Sequence, residues 1–159
     1  MGLITVNISD FAVSANPDDV LVTYALGSCI AVIVHDPTRL VGGMIHYMLP
    51  SSAVSPEKAA TKPAMFADTG VPLLFETMYG YGCQKRDLVV KVAGGSKLYD
   101  DNGTFDIGKR NYVILRKMLW RVGVMIAAEE VGGSISRTAR LWVGTGRTTL
   151  RTGADEYEL

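Results

Sequence analysis

Val22–Pro50, VTYALGSCIAVIVHDPTRLVGGMIHYMLP, is the stretch whose reading decides the fold. It contains both histidines of the chain and one of its two cysteines. Ile30–Val34 is a short apolar run rich in β-branched side chains, the pattern of a buried strand. Asp36-Pro37-Thr38-Arg39 is a turn signal, because proline presets φ for the second turn position. Leu40–Leu49 then returns as a second apolar strand, so the stretch reads as a β-hairpin. A turn centred between Pro37 and Thr38 sets Cys29 opposite His46. Opposed residues of an antiparallel pair share one face, with Cβ atoms about 4.5–5.5 Å apart. A one-residue slip would send them to opposite faces, and Gly42-Gly43 is where a bulge would cause one. The same register sets His35 against Leu40, far from Cys29.

A thiol beside an imidazole is a reactive pair. The thiolate is the nucleophile, and a neighbouring imidazolium lowers the thiol pKa from its usual value of about 8.5. The expected resting state is therefore a thiolate held by His46. The alternative is structural: Cys29 as a small buried hydrophobe and His46 as a satisfied core histidine. Gly27-Ser28 favours chemistry, since a tight glycine turn exposes the next side chain and its backbone N–H groups can hold an oxyanion.

Composition narrows the classes. The 159 residues suffice for one domain with a proper core, and 1–159 reads as a single domain without repeats or linker. Lys plus Arg (16) balance Asp plus Glu (16), so no net field attracts nucleic acid or an acidic membrane. Two cysteines make no disulfide framework. The opening MGLITVNISD has no secretory pattern, and no apolar run approaches membrane-spanning length. A cytoplasmic protein with free thiols is expected. There is no phosphate-binding glycine motif and no Cys/His set with zinc spacing, so neither cofactor nor metal is expected.

Outward from the hairpin, Gly2–Val13 reads as a first strand and Val20–Tyr24 as a short strand feeding the Cys29 turn. Ser51–Pro63 reads as a polar loop bordering the hairpin end. Ala64–Gly80 reads as a helix that Pro72 kinks or splits. Cys83, with no histidine near it in sequence, reads as incidental. Leu88–Ala93 is a strand, and Gly94-Gly95-Ser96 a turn whose glycines serve positive φ before any anion. A helix from Asp106 to about Val122 carries Tyr112, Leu115, Leu119 and Val122 at helical spacing. Val124–Glu130 is a strand, and Arg137–Val143 with Arg147–Arg151 a hairpin. Arg137, Arg140, Arg147 and Arg151 read as a solvated face, and the final ADEYEL as a frayed tail. Many strands with two helices suggest α+β with a mixed sheet.

Together these motifs resemble the chemoreceptor glutamine deamidase CheD family. The resemblance is carried by Leu26-Gly27-Ser28-Cys29, His46-Tyr47-Met48-Leu49-Pro50 and Phe66-Ala67-Asp68. It continues through Lys91–Ser96, Ile107-Gly108-Lys109-Arg110-Asn111, Glu129–Gly133 and the Arg137–Arg151 hairpin. It implies a layered α/β/β sandwich similar to bacterial toxin deamidases, and a catalytic set of Cys29, His46 and Thr23, with Gly27 and Ser28 supporting the oxyanion. It also implies hydrolysis of glutamine side chains on methyl-accepting chemotaxis receptors through a Cys29 thioester, without a cofactor. Thr23 would orient His46 by its hydroxyl or its backbone carbonyl. A further partner implied is CheC, a phosphatase acting on phosphorylated CheY. Two other readings stand beside this one: a receptor glutamyl methylesterase, and a module that regulates the phosphatase with Cys29 idle. Pro72 departs from the family pattern.

Overall fold

The computed structural model describes residues 2–98 and 106–159. In chain order the strands are β1 (Gly2–Thr5), β2 (Asp10–Ser14), β3 (Asp19–Leu26), β4 (Ile30–Asp36), β5 (Val41–Tyr47), β6 (Val89–Gly94), β7 (Ile126–Val131), β8 (Arg137–Trp142), β9 (Thr148–Thr152) and β10 (Asp155–Glu158). The helices are α1 (Pro56–Thr61), α2 (Ala67–Gly80) and α3 (Ile107–Arg121). Two mixed five-stranded sheets form: β1-β3-β8-β9-β10, and β2-β5-β4-β6-β7. The pairs β1/β3 and β6/β7 are parallel.

Strand β4 is central in its sheet and every residue of β4 and β5 is buried. Both faces of that sheet are covered, hence the unbroken apolar runs. Ile30, Val32, Val34, Ile45 and Tyr47 face a core shared with α2 and α3 through Leu74, Met78, Leu115 and Leu119. Cys29, Ala31, Ile33 and Met44 face a second core, shared with Leu21, Leu26, Ala139, Leu141 and Leu150 of the other sheet. The α+β expectation holds, and the cores stack the layers as helices, sheet, sheet. Full burial of each such Leu, Ile or Val contributes about 1.5–3 kcal/mol.

The hairpin forms with its register two residues from the expected one. His46 pairs with Ala31, Tyr47 with Ile30, and His35 with Gly42 rather than Leu40. The connection is four residues long, with Leu40 N–H on the Asp36 carbonyl (2.9 Å) and Leu40 at φ 54°. The Asp36 carboxylate accepts from the Thr38 N–H (2.9 Å) and the Arg39 N–H (3.2 Å), fixing the longer turn. A shift of two preserves side-chain parity, so Cys29 and His46 keep a common face. Gly42 and Gly43 make no bulge. A Cβ on Gly43 would stand 2.9 Å from Leu74 and Met78, and one on Gly42 2.9 Å from Leu141, so they admit close neighbours from both layers.

Other expectations change. Gly2–Val13 is two strands in different sheets, broken near Ser9 (φ 62°). The loop after the hairpin contains α1, and Ser52 bonds to Asp68 of α2 through its N–H (2.9 Å) and hydroxyl (2.8 Å). Helix α2 runs through Pro72 unsplit. Pro72 is exposed near the start of the helix, where it removes one backbone bond and its ring points to solvent. The C-terminal segment is strand β10, paired with β9. Cys83 is buried, with burial first and the nearby Asp36 carboxylate next pushing its pKa up to about 11.

The arginines do not form one solvated face. Arg140 and Arg147 pair at the surface with Glu156 (3.7 Å) and Glu158 (2.7 Å). Arg137 is only 4% exposed. Its Nε donates to Glu130 (2.6 Å), Nη1 to the Gly94 carbonyl (3.1 Å) and Ser96 Oγ (3.0 Å), and Nη2 to the Gly132 carbonyl (2.9 Å). One guanidinium thus fastens β8 to the ends of β6 and β7 in the other sheet. A lysine cannot reproduce this fork. Arg137→Lys is expected to lower stability by about 2–3 kcal/mol, read as a lower urea midpoint at unchanged slope.

Candidate active site

The chain crosses between the sheets at Gly27-Ser28-Cys29, from the end of β3 to the start of β4. A one-residue shift in the β3/β8 pairing between Thr23 and Leu26, with Ala25 at φ 54°, marks a bulge that turns the chain. The crossing is fixed by its carbonyls. That of Gly27 accepts the Ser96 N–H (2.8 Å), that of Cys29 the Gly95 N–H (2.9 Å) and that of Ser28 the Asn111 amide (2.9 Å). Gly94 (φ 111°) and Gly95 (φ 64°) need positive φ, as expected. Gly94 also leaves no room for a side chain, since a Cβ there would collide with the Cys29 carbonyl. The Gly95 and Ser96 amides therefore hold the crossing, not an anion. Among the described residues no carbonyl takes the N–H of Gly27 or Ser28.

His46 stands on β5 and is 3% exposed; Cys29 is 8% exposed. Because His46 is level with Ala31, Cys29 lies diagonally two residues along on the same face. Thr23, fully buried on β3, reaches His46 across the layer between the sheets: its hydroxyl is 2.7 Å from His46 Nδ1. The same hydroxyl donates to the Val6 carbonyl at 2.6 Å. A hydroxyl has one proton. With that proton on Val6, the Thr23 oxygen is an acceptor and His46 Nδ1 carries the hydrogen. Nε2 is then an unprotonated lone pair, and it is buried without a hydrogen-bond partner among the described residues. The geometry thus uses the Thr23 hydroxyl rather than its backbone carbonyl.

Burial sets the charge state. It pushes the Cys29 thiol up to about 11, with the residue's own backbone N–H opposing, and holds His46 down at about 4. Burial thus favours the thiol and the neutral imidazole over the expected thiolate and imidazolium.

Two polar residues near the site are given no part in it by the sequence reading. Asn111, on the first turn of α3, is fully buried and bonds to both Ser28 and Met48. Its signal was a polar side chain on the apolar stripe of α3, beside Gly108 and Leu115. Arg137 shares its strand face with Ala139 and Leu141, so alternation would have placed it inside. Among the described residues no group of His, Cys, Asp and Glu could hold a metal, and no helix is long and apolar enough to cross a membrane.

The fold and site define an α+β protein with a buried thiol and a buried imidazole on one face of a strand pair, between two sheets. Comparison with known proteins is consistent across the chain. Residues 48–152 match the family described as CheD chemotactic sensory transduction. A protein of Anaeromyxobacter dehalogenans is 52% identical over 153 residues, covering 96% of each chain, and one of Syntrophus aciditrophicus 51% over 152, covering 96% of this chain and 95% of the other. A protein of Solibacter usitatus is 48% identical over 159 residues, covering 100% of this chain and 94% of its own. All three are named probable chemoreceptor glutamine deamidases. The chain belongs to the CheD family.

Alkylation of Cys29 is expected to accelerate with pH up to about 11, without the plateau from mildly acidic pH that an ion pair would give. Between about 6.5 and about 4 the unfolded chain binds a proton at His46 that the folded one refuses, so stability falls as pH drops through that window. Urea titrations at several pH values, compared with His46→Gln, would measure this.

Proposed function

We propose that this chain hydrolyses the side-chain carboxamide of glutamine residues in chemoreceptors, giving glutamate and ammonia. The observation that carries the reading is the partnerless Nε2 of His46, its tautomer fixed from behind by Thr23, on the face that also carries Cys29. The names of the three relatives supply the substrate class.

Because the pair rests neutral, attack and proton transfer go together. Nε2 takes the proton of Cys29 as sulfur bonds to the amide carbon, and the carbonyl electrons move onto oxygen. The backbone N–H groups of the Gly27-Ser28 crossing serve that oxyanion. The imidazolium gives its proton to the amide nitrogen, the C–N bond breaks and ammonia leaves, with a thioester on Cys29. Water then loses a proton to Nε2, its oxygen bonds to the thioester carbon, and the C–S bond breaks. The sulfur recovers its proton from the imidazolium. One water is consumed, and glutamate and free enzyme remain. Thr23 keeps the imidazole in the productive tautomer throughout, the orienting part of a Cys-His pair.

The surroundings suit a protein substrate. Ile8 and Leu98 are exposed apolar side chains on segments bordering the site: Ile8 precedes Ser9, whose N–H bonds to the His46 carbonyl (2.8 Å), and Leu98 lies over Gly27. Such a rim fits the side of a helix carrying one projecting amide.

Receptor protein incubated with the wild-type chain is expected to show conversion of glutamine to glutamate by peptide mass spectrometry, with matching ammonia. Cys29→Ala and His46→Ala should abolish both while remaining folded; full activity in Cys29→Ala would exclude this mechanism. Thr23→Val removes the hydroxyl while keeping the shape, and should lower kcat by about 10²-fold or more.

A further inference from the structure

We infer that Asn111 is a positioning residue that sets the nucleophile's loop against the base's strand. The inference rests on the reading that Cys29 and His46 react as a pair. One nitrogen, Asn111 Nδ2, donates to the Ser28 carbonyl (2.9 Å) and to the Met48 carbonyl (3.0 Å). Ser28 directly precedes Cys29, and Met48 lies two residues beyond His46. The two backbones are not paired there, since the last β4/β5 pair is Ile30 with Tyr47. The amide therefore bridges the hairpin just beyond the end of its ladder, beside Cys29 and two residues past His46.

Asn111 is itself seated from two sides. The Tyr47 hydroxyl donates to its backbone carbonyl at 2.6 Å. One turn earlier, Gly108 lies so close to the Gly95 and Ser96 carbonyls that no side chain fits, and the amides of those two residues hold the Cys29 and Gly27 carbonyls. The first turn of α3 thus grips the crossing directly, through Asn111, and indirectly, through Gly95 and Ser96.

The chemistry of the side chain supports position over simple packing. A primary amide offers two N–H donors from one uncharged, planar nitrogen, which the two carbonyls require. Its other end, Oδ1, is buried without a partner among the described residues, an arrangement that costs free energy. A residue placed only to fill the core would carry no such orphan. Thr23 orients the imidazole from one sheet, and Asn111 spaces the backbones from the helix layer. Reacting groups misplaced by about 1 Å lose about 10²-fold in rate.

The test uses the full chain and receptor substrate. Asn111→Asp keeps the shape but cannot supply two donors. Its kcat is expected to fall by about 10²-fold with KM within about threefold. Leu115→Ala, one turn along the same helix in the core, controls for lost stability and should keep kcat within about twofold of wild type. A kcat for Asn111→Asp within threefold of wild type, a loss confined to KM, or an equal loss in the Leu115→Ala control would each overturn the inference. If Asn111→Asp does not fold, Tyr47→Phe carries the test by removing only the bond to the Asn111 carbonyl. A severalfold loss of kcat at unchanged KM supports the assignment, and an unchanged kcat overturns it.

A substrate-free measurement separates this inference from the proposed reaction. Iodoacetamide should label Cys29 about tenfold faster in the uncharged variant Asn111→Ala, with its pH profile moved down toward an ordinary thiol, and the Leu115→Ala control should not move. Unchanged labelling would sink the positioning role. If wild type releases no ammonia but the labelling responds as expected, the proposed reaction fails and the clamp stands.

Discussion

The site depends on one hydrogen bond that crosses from sheet to sheet, between Thr23 on β3 and His46 on β5. The bond has a direction because a third group, the Val6 carbonyl, takes the hydroxyl proton. That carbonyl is in place because β1 runs parallel to β3, with Thr5 level with Val22. The residue that follows an edge strand therefore decides which nitrogen of the imidazole carries hydrogen. Neither sheet alone contains the arrangement. It exists only where the two are packed face to face, and the Leu21, Ala31, Met44 and Leu141 core that packs them also shapes the site.

The second constraint is the crossing itself. A chain passing between stacked sheets must leave its ladder, and every carbonyl freed by doing so needs a donor. Gly27, Ser28 and Cys29 find theirs on two separate elements, the turn after β6 and the first turn of α3. Arg137 fixes that turn in place by bonding to the Gly94 carbonyl and the Ser96 hydroxyl. A glycine turn and a helix start thus converge on three backbone oxygens, with a buried cation behind the turn.

Much of this was legible beforehand, for reasons that can be named. The hairpin was visible because its strands are buried on both faces and its turn contains proline. The shared face of Cys29 and His46 survived a wrong register because parity is insensitive to a shift of two. The register itself was not legible, since the Asp36 carboxylate capping Thr38 and Arg39 sets the length of the turn. The charge state was misjudged because pairing two residues says nothing about how much water surrounds them. Arg137 was grouped with surface neighbours by spacing along the chain, where alternation along β8 was the better guide. Strand β10 was missed because an acidic stretch with one aromatic looks like a tail until Arg140 and Arg147 supply counter-charges.

The protonated resting state has a consequence for durability. Peroxide and related oxidants consume thiolates, and they reach sulfur only where it meets solvent. Cys29 is both protonated at neutral pH and almost covered. A thiol kept in that form is expected to oxidise slowly for as long as the two sheets stay packed over it.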